Sequence, residues 1–333
     1  MSAAAHSHPA DTLLVLGRPD EPLRALLAAG TAGMRVVIGD SFDEFEEVAS
    51  EATIVLNWSG RRELLQQVLR NAPDLRWIHI MSAGINHLVS TELMSTRAVV
   101  SNGKGTFSAS LGEWVIGAVL YFAKDFRRLI RAQEQGLWEP YDVVEIAGQT
   151  LGIVGYGDIG RAIGTRASAM GMRVLGLTRR GASGGGRRPA GDPAERIFGP
   201  EERLQMIEQC DYLVIAAPLT PETRGLIGWD EIAAMRPDAV LINIGRGPVV
   251  DEQALIDALS SGTIKGAALD VFHQEPLPAE HVFYRMENVL LSPHCADHTA
   301  TWLRDAMQLF LQNLERYRAG ESLQNTVTVE QGY

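Results

Sequence analysis

The chain has 333 residues, of which 46% are hydrophobic and 21% charged, and its formal net charge is −11. This length is sufficient for two domains that each bury a core. The acidic balance argues against a nucleic-acid or anionic-membrane partner, because both need a basic protein surface.

Cysteine usage and the N-terminal segment bear on the compartment. Cys210 and Cys295 are the two cysteines, too few for a disulfide framework and typical of a reducing environment. The start, MSAAAHSHPA, lacks the cationic segment and apolar run of a signal peptide. Because no apolar run reaches the length of a membrane helix, we expect a cytoplasmic protein with no membrane segment.

The first third of the chain alternates short β-rich runs with helical patterns such as RRELLQQVLRNA (61–72). The runs are TLLVLG (12–17), RVVIG (35–39), TIVLNW (53–58), RWIHI (76–80) and AVVSN (98–102). Alternation of this kind predicts a parallel sheet covered by helices on both faces.

A helical pattern over 108–135 then leads into a second series of strands. Its six runs are TLGIVGYG (150–157), RVLGLT (173–178), YLVIAA (212–217), AVLINI (239–244), GAALDV (266–271) and VLLSP (289–293). A dinucleotide-binding sheet requires six strands. The glycine-rich stretch GASGGGRRPAGDP (181–193) is predicted to be a flexible loop.

The last helical pattern, 299–320, carries an apolar stripe that we expect to pack on the first domain. The fold class is therefore α/β with two doubly wound parallel sheets. The predicted domains are 1–105 plus 299–333, which form a substrate domain, and 106–298, a nucleotide-binding domain inserted into it.

The stretch LGIVGYGDIGRAIG (151–164) carries a G-x-G-x-x-G pattern between an apolar strand and a helix. In such a unit Gly155 permits the tight turn, Gly157 leaves room for a pyrophosphate, and Gly160 lets the helix approach the strand. The helix N-terminus then offers free amides to the phosphates. A turn without a ligand is the alternative, and the matched flanks favour dinucleotide binding.

The residues after the second strand of this unit select the cofactor. NAD enzymes place a carboxylate there for the ribose hydroxyls, whereas this chain has Thr178, Arg179 and Arg180. Guanidinium groups recognise phosphate with paired donors, and Arg187 and Arg188 follow in the glycine-rich loop. This pattern favours NADP(H), with NAD(H) still possible. The alternative is that the arginines only solvate a loop.

Further segments complete a recognisable set: APLTPETRGLIG (217–228), NIGRGPVVD (243–251), ALDVFHQEPL (268–277) and SPHCADHT (292–299). Together with VGYGDIG they resemble the D-isomer-specific 2-hydroxyacid dehydrogenase family, in particular its glyoxylate/hydroxypyruvate reductases, over nearly the whole chain. The resemblance implies a Rossmann domain inserted into a flavodoxin-like substrate domain, an active-site cleft between them, and a homodimer. It also implies a catalytic set of Arg246, Glu275 and His294.

The chemistry of 2-keto acid reduction suits these three residues. Arg246 follows an apolar strand, and its guanidinium group can hold the substrate carboxylate and polarise the oxygen of the keto group. His294 also follows a strand end and can protonate the alkoxide that hydride attack creates. Glu275 can orient His294 and favour its protonated form. Each also has a structural alternative: an ion-pair arginine, a solvated glutamate or a hydrogen-bonded histidine.

The resemblance implies further contacts. Substrate would meet the backbone amides of Ala83 and Gly84, with Asn86 nearby, as well as Arg246 and His294. Ser108 and Asp270 would meet the nicotinamide amide, although Ser108 alone reads equally as a helix cap. The implied cofactor-binding positions are Ser108, Gly155, Tyr156, Gly157, Asp158, Ile159, Gly160, Thr178, Arg179, Arg180, Ala217, Pro218, Thr223, Ile244, Gly245, Asp270, His294 and Ala296.

The remaining candidates are a possible metal pair of histidines, two tryptophans and an aspartate near His294. His294 and His298 are four apart, but with no third ligand apparent we expect no metal. Trp58 and Trp138 are expected to be core or interface anchors. In HCADH, Asp297 takes a position where the family often has glycine, which alters the charge around His294 and leaves the substrate range open.

The leading hypothesis is an NADPH-dependent reductase of small 2-keto acids to (R)-2-hydroxy acids, the product stereochemistry being implied by the resemblance. Glyoxylate and hydroxypyruvate are candidate substrates. A nucleotide-sensing, corepressor-like binding protein of the same fold is the alternative from another class. A phosphite-type dehydrogenase also stays open, whereas a formate dehydrogenase is disfavoured because Glu275 stands where that branch has glutamine.

Overall fold

The computed structural model describes residues 11–181 and 190–329. The chain divides into two compact units, one formed by Met1–Thr106 and Ala300–Tyr333 and the other by Phe107–Thr299. Because the second unit lies between the two segments of the first in the sequence, the first unit is discontinuous.

The described residues form twelve strands and ten α-helices. In chain order these are β1 (Thr12–Leu16), α1 (Glu21–Gly30), β2 (Arg35–Gly39), β3 (Ile54–Asn57), α2 (Arg62–Asn71), β4 (Trp77–Ile80), α3 (Thr91–Ser95), β5 (Val99–Asn102), α4 (Ser108–Ala123), α5 (Phe126–Gln135), β6 (Thr150–Val154), α6 (Asp158–Ala169), β7 (Arg173–Leu177), β8 (Arg196–Phe198), α7 (Arg203–Ile207), β9 (Tyr212–Ile215), α8 (Trp229–Ala233), β10 (Val240–Asn243), α9 (Glu252–Ser261), β11 (Gly266–Leu269), β12 (Val289–Leu291) and α10 (Trp302–Arg318).

The first unit contains a five-stranded parallel sheet in the order β2-β1-β3-β4-β5. This is the flavodoxin-like doubly wound order that the family resemblance implied. All five residues of β1 are buried, which is why its sequence, TLLVL, is continuously apolar after the first threonine. Each buried leucine or valine of such a strand contributes about 1.5–3 kcal/mol.

The last helix, α10, completes the core of this first unit. Phe310 and Tyr317 stack on Trp77, with ring centroids 5.2 and 5.6 Å away. Met307 and Leu314 join the same buried cluster as β1 and β3. The prediction that the final helical segment packs on the first domain is confirmed, although the helix is shorter than the predicted 299–320.

The second unit contains a seven-stranded parallel sheet in the order β12-β11-β10-β9-β6-β7-β8. This is the Rossmann order with one further strand at the β12 edge. The sequence predicted six of these strands and missed β8, because three residues after a glycine-rich stretch give almost no periodic signal.

The predicted single helix over 108–135 is wrong: the segment forms two helices, α4 and α5. Asp125 separates them with a left-handed φ of 48°, and its side chain accepts a hydrogen bond from the amide of Arg128. An aspartate that caps a new helix in this way ends the preceding one.

Within the residues the structure describes, no helix is long and apolar enough to cross a membrane.

Candidate active site

The glycine turn joins β6 to α6, and each of its three glycines has a separate structural reason. Gly155 has a φ of 90°, and a Cβ there would lie 2.5 Å from the amide nitrogen of Ala217. A Cβ at Gly160 would lie 2.8 Å from the carbonyl oxygen of Gly155, so this glycine lets α6 approach the turn closely. A Cβ at Gly157 would meet nothing within 4 Å among the described residues. The space beside Gly157 therefore fits a ligand that needs close access to the backbone.

The start of α6 offers hydrogen-bond donors at the same place. The first helical hydrogen bond is donated by the amide of Arg161 to the Gly157 carbonyl, at 3.0 Å. The amides of Asp158, Ile159 and Gly160 donate to nothing in the described ranges, and free amides at a helix N-terminus favour an anion. The Asp158 carboxylate accepts a short hydrogen bond from the Ser108 hydroxyl, which joins α4 to this helix.

Tyr156 lies in the turn, but its side chain packs beneath it. The ring is 3% exposed, and the hydroxyl donates to the Asp192 carboxylate at 2.8 Å. Arg161 lies 3.4 Å from the other carboxylate oxygen. The Tyr156 pKa is raised by burial and by Asp192. Any contact of Tyr156 with a cofactor would therefore come from its backbone.

The segments that follow β9 and β10 lie beside the glycine turn. A Cβ at Gly245, just after β10, would lie 2.6 Å from the carbonyl oxygen of Ala217, which follows β9. Gly245, like Gly155 after β6, therefore lies in close contact with Ala217. Ile244 is buried, and its amide donates to Ile215 at 3.1 Å. In the loop after β9, the Thr223 hydroxyl donates to the Pro218 carbonyl at 2.7 Å.

The end of β7 carries the residues predicted to select the cofactor. Thr178 is half-buried, whereas Arg179 and Arg180 are exposed. The charge of Arg179 contributes to lowering the pKa of Glu222, after the larger effect of the hydrogen bond from Thr220. Arg187 and Arg188 lie outside the described residues.

Arg246 follows β10 between two glycines that are required by close backbone contacts. Gly245 approaches Ala217, and Gly247 lies so close to the backbone of Phe272 that a Cβ would overlap it. The arginine is thereby fixed between two loops. Burial lowers its pKa, and the charges of Glu275 and Asp297 oppose that shift.

Glu275 and His294 form a hydrogen-bonded pair. His294 Nδ1 lies 2.7 Å from Glu275 Oε2, while Glu275 Oε1 accepts from the Phe272 amide at 2.9 Å. The hydrogen bond to Glu275 raises the pKa of His294. Burial pushes the Glu275 pKa upward, but the hydrogen bonds from His294 and Phe272 outweigh it, so that pKa is lowered. The pair therefore favours a glutamate anion beside an imidazolium.

The loop that carries His294 is held by the buried carboxylate of Asp270. That carboxylate accepts from the amides of Cys295 and Ala296 and from the hydroxyl of Ser292. His294 has a left-handed φ of 50°, a conformation that costs a non-glycine residue about 1–2 kcal/mol. The hydrogen bonds to Asp270 on its C-terminal side hold it there.

Ala83 and Gly84 belong to the first unit and follow β4. The Ala83 carbonyl accepts from the Asn102 side chain at 2.5 Å, and the Gly84 carbonyl accepts from the Ser82 hydroxyl at 2.8 Å. Their two amides donate to no group in the described part of the chain. The loop thus presents two free N–H groups that suit a carboxylate.

Three buried asparagines that end strands were missed from the sequence. Asn102 holds the Ala83 loop, and Asn57 Oδ1 accepts from the Gly60 amide at 3.0 Å. Asn243 accepts from the Gly245 amide and donates to the Arg246 carbonyl. The available signal was an asparagine closing each of the apolar runs TIVLN, AVVSN and AVLIN.

The remaining predicted positions are placed as follows. Trp58 packs against the core of the first unit, whereas Trp138 is 95% exposed. His298 lies 3.7 Å from Asp297. Across 11–181 and 190–329, no group of three or more histidine, cysteine or acidic side chains is arranged to hold a metal ion.

Comparisons with known proteins find a matching family model and similar relatives. The family model "D-isomer specific 2-hydroxyacid dehydrogenase, NAD binding domain" matches residues 116–296. A glyoxylate reductase of Thermococcus gammatolerans is 35% identical over 268 residues, covering 77% of this chain and 77% of that protein.

Two solved structures are similar over almost the whole length. A D-isomer specific 2-hydroxyacid dehydrogenase of Xanthobacter autotrophicus, in complex with NADPH and MES, has a TM-score of 0.83 at 30% identity and covers 98% of this chain and 100% of its own. An NADPH-dependent glyoxylate/hydroxypyruvate reductase of Sinorhizobium meliloti, in complex with NADP and sulfate, has a TM-score of 0.80 at 25% identity, covering 97% and 100%.

Proposed function

Because the chain belongs to the D-isomer specific 2-hydroxyacid dehydrogenase family, we propose that it reduces small 2-keto acids to (R)-2-hydroxy acids with NADPH. The observation that carries this proposal is the His294–Glu275 hydrogen bond of 2.7 Å, within electrostatic reach of Arg246. Glyoxylate and hydroxypyruvate are the substrates to examine first, since relatives with those activities are similar to this chain.

Arg246 is the proposed anchor of the substrate. Arg246 is a partly buried residue, so a carboxylate that reaches its guanidinium exchanges water for paired, charge-assisted hydrogen bonds. The same guanidinium also polarises the oxygen of the substrate's keto group. The free amides of Ala83 and Gly84 are proposed as further donors to the carboxylate.

His294 is the proposed general acid, and Glu275 its positioning partner. Glu275 occupies Nδ1 of the imidazole, which leaves Nε2 to deliver a proton to the developing alkoxide. Because the hydrogen bond raises the pKa of His294, more of the imidazole is protonated at neutral pH. Asp270 fixes the loop and so holds His294 in position.

The residues around the glycine turn fit a dinucleotide. A reduced nicotinamide cofactor supplies the hydride when it is bound. The free amides at the start of α6 and the space beside Gly157 would accept its diphosphate. Thr178, Arg179 and Arg180 leave the end of β7 without a carboxylate, which supports NADP(H) over NAD(H).

A homodimer is proposed on the exposed apolar face of α5 and the segment after it. This helix has no buried residue, yet Phe126, Leu129 and Ile130 share one of its faces and are all exposed. Trp138 and Val143 add exposed apolar surface in the segment that follows. A second copy is the proposed occupant, since uncovered apolar patches of this kind mark protein interfaces.

The central experiment is NADPH oxidation by the purified protein with glyoxylate, hydroxypyruvate and branched or aromatic keto acids. Arg246→Ala is expected to abolish reduction while NADPH still binds, because the substrate loses its anchor. Arg131→Ala, at an exposed ion pair with Glu287, is the control and should retain activity. Wild-type protein that turns over none of these acids would favour the nucleotide-sensing alternative.

Cofactor preference and assembly have separate tests. Arg179→Ala should weaken NADPH binding far more than NADH binding, and equal losses would contradict the proposed recognition of the 2′-phosphate by Arg179.

For the dimer, Ile130→Glu should yield a monomer in analytical sedimentation. Tyr284→Glu, at an exposed site elsewhere in the same unit, should leave the assembly unchanged.

A further inference from the structure

The segment that follows α10 lies along β5, the strand at one edge of the first sheet. The amide of Asn102 donates to the Asn325 carbonyl at 3.1 Å, and the amide of Val327 donates to the Val100 carbonyl at 2.9 Å. The pairing is antiparallel. The chain therefore returns from α10 to cover the edge of the sheet from which the Asn102 side chain reaches the Ala83 loop.

This returning segment is anchored on both sides of Asn325. Before it, the fully buried side chain of Asn313 in α10 accepts from the Gln324 amide at 2.8 Å and donates to the Gln324 carbonyl at 3.1 Å. After it, Val329 is 9% exposed and belongs to the buried cluster of the first unit that includes Val100. Asn325 is thus held in place by contacts that are independent of its own side chain.

Asn325 adopts a left-handed backbone conformation, with a φ of 56°. Asparagine tolerates this region better than most residues that carry a side chain. While its carbonyl accepts from the Asn102 amide, its side-chain Nδ2 donates to the Lys104 carbonyl at 2.7 Å. One residue therefore bonds both the beginning and the end of the turn formed by residues 102–104.

The same turn holds the loop after β4. The Gly103 amide donates to the Ser82 carbonyl at 3.1 Å, and the buried side chain of Asn102 donates to the Ala83 carbonyl at 2.5 Å. The Asn102 side chain also accepts from the Lys104 amide at 3.2 Å, which fixes its orientation. A displacement of the turn would therefore be passed on to the backbone of the loop.

We propose that Asn325 is a positioning residue for substrate: through the turn 102–104 it keeps the free amides of Ala83 and Gly84 in the orientation that receives the substrate carboxylate. The inference rests on the proposed function, in which these two amides are donors to the carboxylate. Donors that are fixed before the substrate arrives bind it more tightly, because less ordering remains to be done on binding.

The test is the Asn325→Gly variant, which keeps the left-handed backbone accessible and removes the donor to Lys104. We expect KM for glyoxylate to rise about fivefold with kcat within about twofold, because the carboxylate is bound alike in the ground state and the transition state. Ki for oxamate, an analogue that is not reduced, should rise by the same factor. NADPH binding should stay within about twofold, since the glycine turn belongs to the other unit.

Three further variants separate positioning from general stability. Asn325→Asp keeps the size of the side chain but replaces the donor by an acceptor, so it should raise KM at least as much as Asn325→Gly. Thr328→Ala changes an exposed side chain of the same segment and should keep the wild-type KM. Thr31→Ala removes a buried hydrogen bond to the Leu27 carbonyl at the opposite end of the sheet, and should lower the thermal midpoint without changing KM.

The outcomes distinguish this inference from the proposed function. Glyoxylate reduction with a wild-type KM in Asn325→Gly or Asn325→Asp overturns the positioning by Asn325 and leaves the reductase proposal standing. A rise in KM of the same size in Thr31→Ala overturns it too, because any loss of stability would then have that effect. Folded wild-type protein that reduces no keto acid overturns both.

Discussion

Two loops at the carboxyl end of the second sheet reach similar rigidity by opposite means. The glycine turn after β6 depends on missing side chains, since a Cβ at Gly155 or Gly160 would overlap neighbouring backbone. The His294 loop after β12 depends on side chains that are present, above all the carboxylate of Asp270. The first arrangement leaves a recurring pattern in the sequence, whereas the second leaves only scattered polar residues.

Because one loop depends on missing side chains and the other on polar side chains, the two loops should respond to different kinds of substitution. The glycine turn supplies space and backbone amides, so its function should be sensitive to added volume. The His294 loop is proposed to supply a proton donor, so its function should be sensitive to lost polar atoms and to pH. Substitutions that add volume to one loop and remove polar groups from the other distinguish these contributions.

The largest expected effect is at the His294 loop. His294→Ala should lower the turnover of keto acid by a factor on the order of 10² or more, because the developing alkoxide loses its proton donor. NADPH binding, followed by fluorescence titration, should change far less than turnover. Turnover within a few-fold of wild type would remove His294 from the role of general acid.

The glycine turn should respond to volume in two distinct ways. Gly155→Ala is expected to lower the free energy of unfolding by about 2–4 kcal/mol, because a φ of 90° and contact with Ala217 both oppose a Cβ. Gly157→Ala should leave stability nearly unchanged and weaken NADPH about tenfold or more, because its Cβ enters the space proposed for the diphosphate. Urea denaturation and NADPH titration measure the two quantities. Tight NADPH binding by Gly157→Ala would contradict the proposed site.

The pH dependence of the His294 loop gives a third, smaller effect. If His294 is the general acid, as proposed, reduction needs its protonated form, and the rate should fall as pH rises through the raised pKa of that imidazole. Glu275→Gln removes the carboxylate that chiefly raises this pKa, and the fall should move to lower pH. The ratio of wild-type to variant kcat/KM should therefore be larger at pH 8 than at pH 6. A constant ratio would mean that Glu275 does not act through His294.

The smallest effect is expected beneath the glycine turn. Tyr156→Phe removes the hydroxyl that bonds to Asp192 and should cost about 1 kcal/mol of stability. Because the side chain faces away from the turn, the affinity for NADPH should stay within about twofold. A large loss of affinity with unchanged stability would show that the hydroxyl is itself a cofactor contact.

The architecture was largely predictable because parallel strands buried on both faces are continuous apolar runs. The two parallel sheets followed from that pattern. The nucleotide-binding class followed from the six strand runs and the glycine turn, the flavodoxin-like class from the family resemblance, and the return of the last helix from its own apolar stripe. Strand β8 was missed because Arg196–Phe198 is too short to show a period. The break at Asp125 was missed because the apolar spacing continues across it, although an aspartate before FRRLI was a usable capping signal.

The candidate site was predictable in its residue types and less so in its supports. Arg246, Glu275 and His294 stood in motifs, and the structure brings Glu275 and His294 into hydrogen-bond contact. Nothing in the sequence indicated that Asp270 would bind three groups of the His294 loop, or that His294 would adopt a positive φ. Such features depend on which loops meet in three dimensions, and residue spacing alone does not encode that.

The return of α10 to the first unit has a consequence for synthesis on the ribosome. Trp77 is synthesised more than two hundred residues before Phe310, on which it stacks. One apolar face of the first sheet therefore stays exposed until α10 has been synthesised. The inserted unit is contiguous and can fold while that face is still open. Ribosome-stalled chains that end before α10 would thus expose a nascent segment that chaperones recognise.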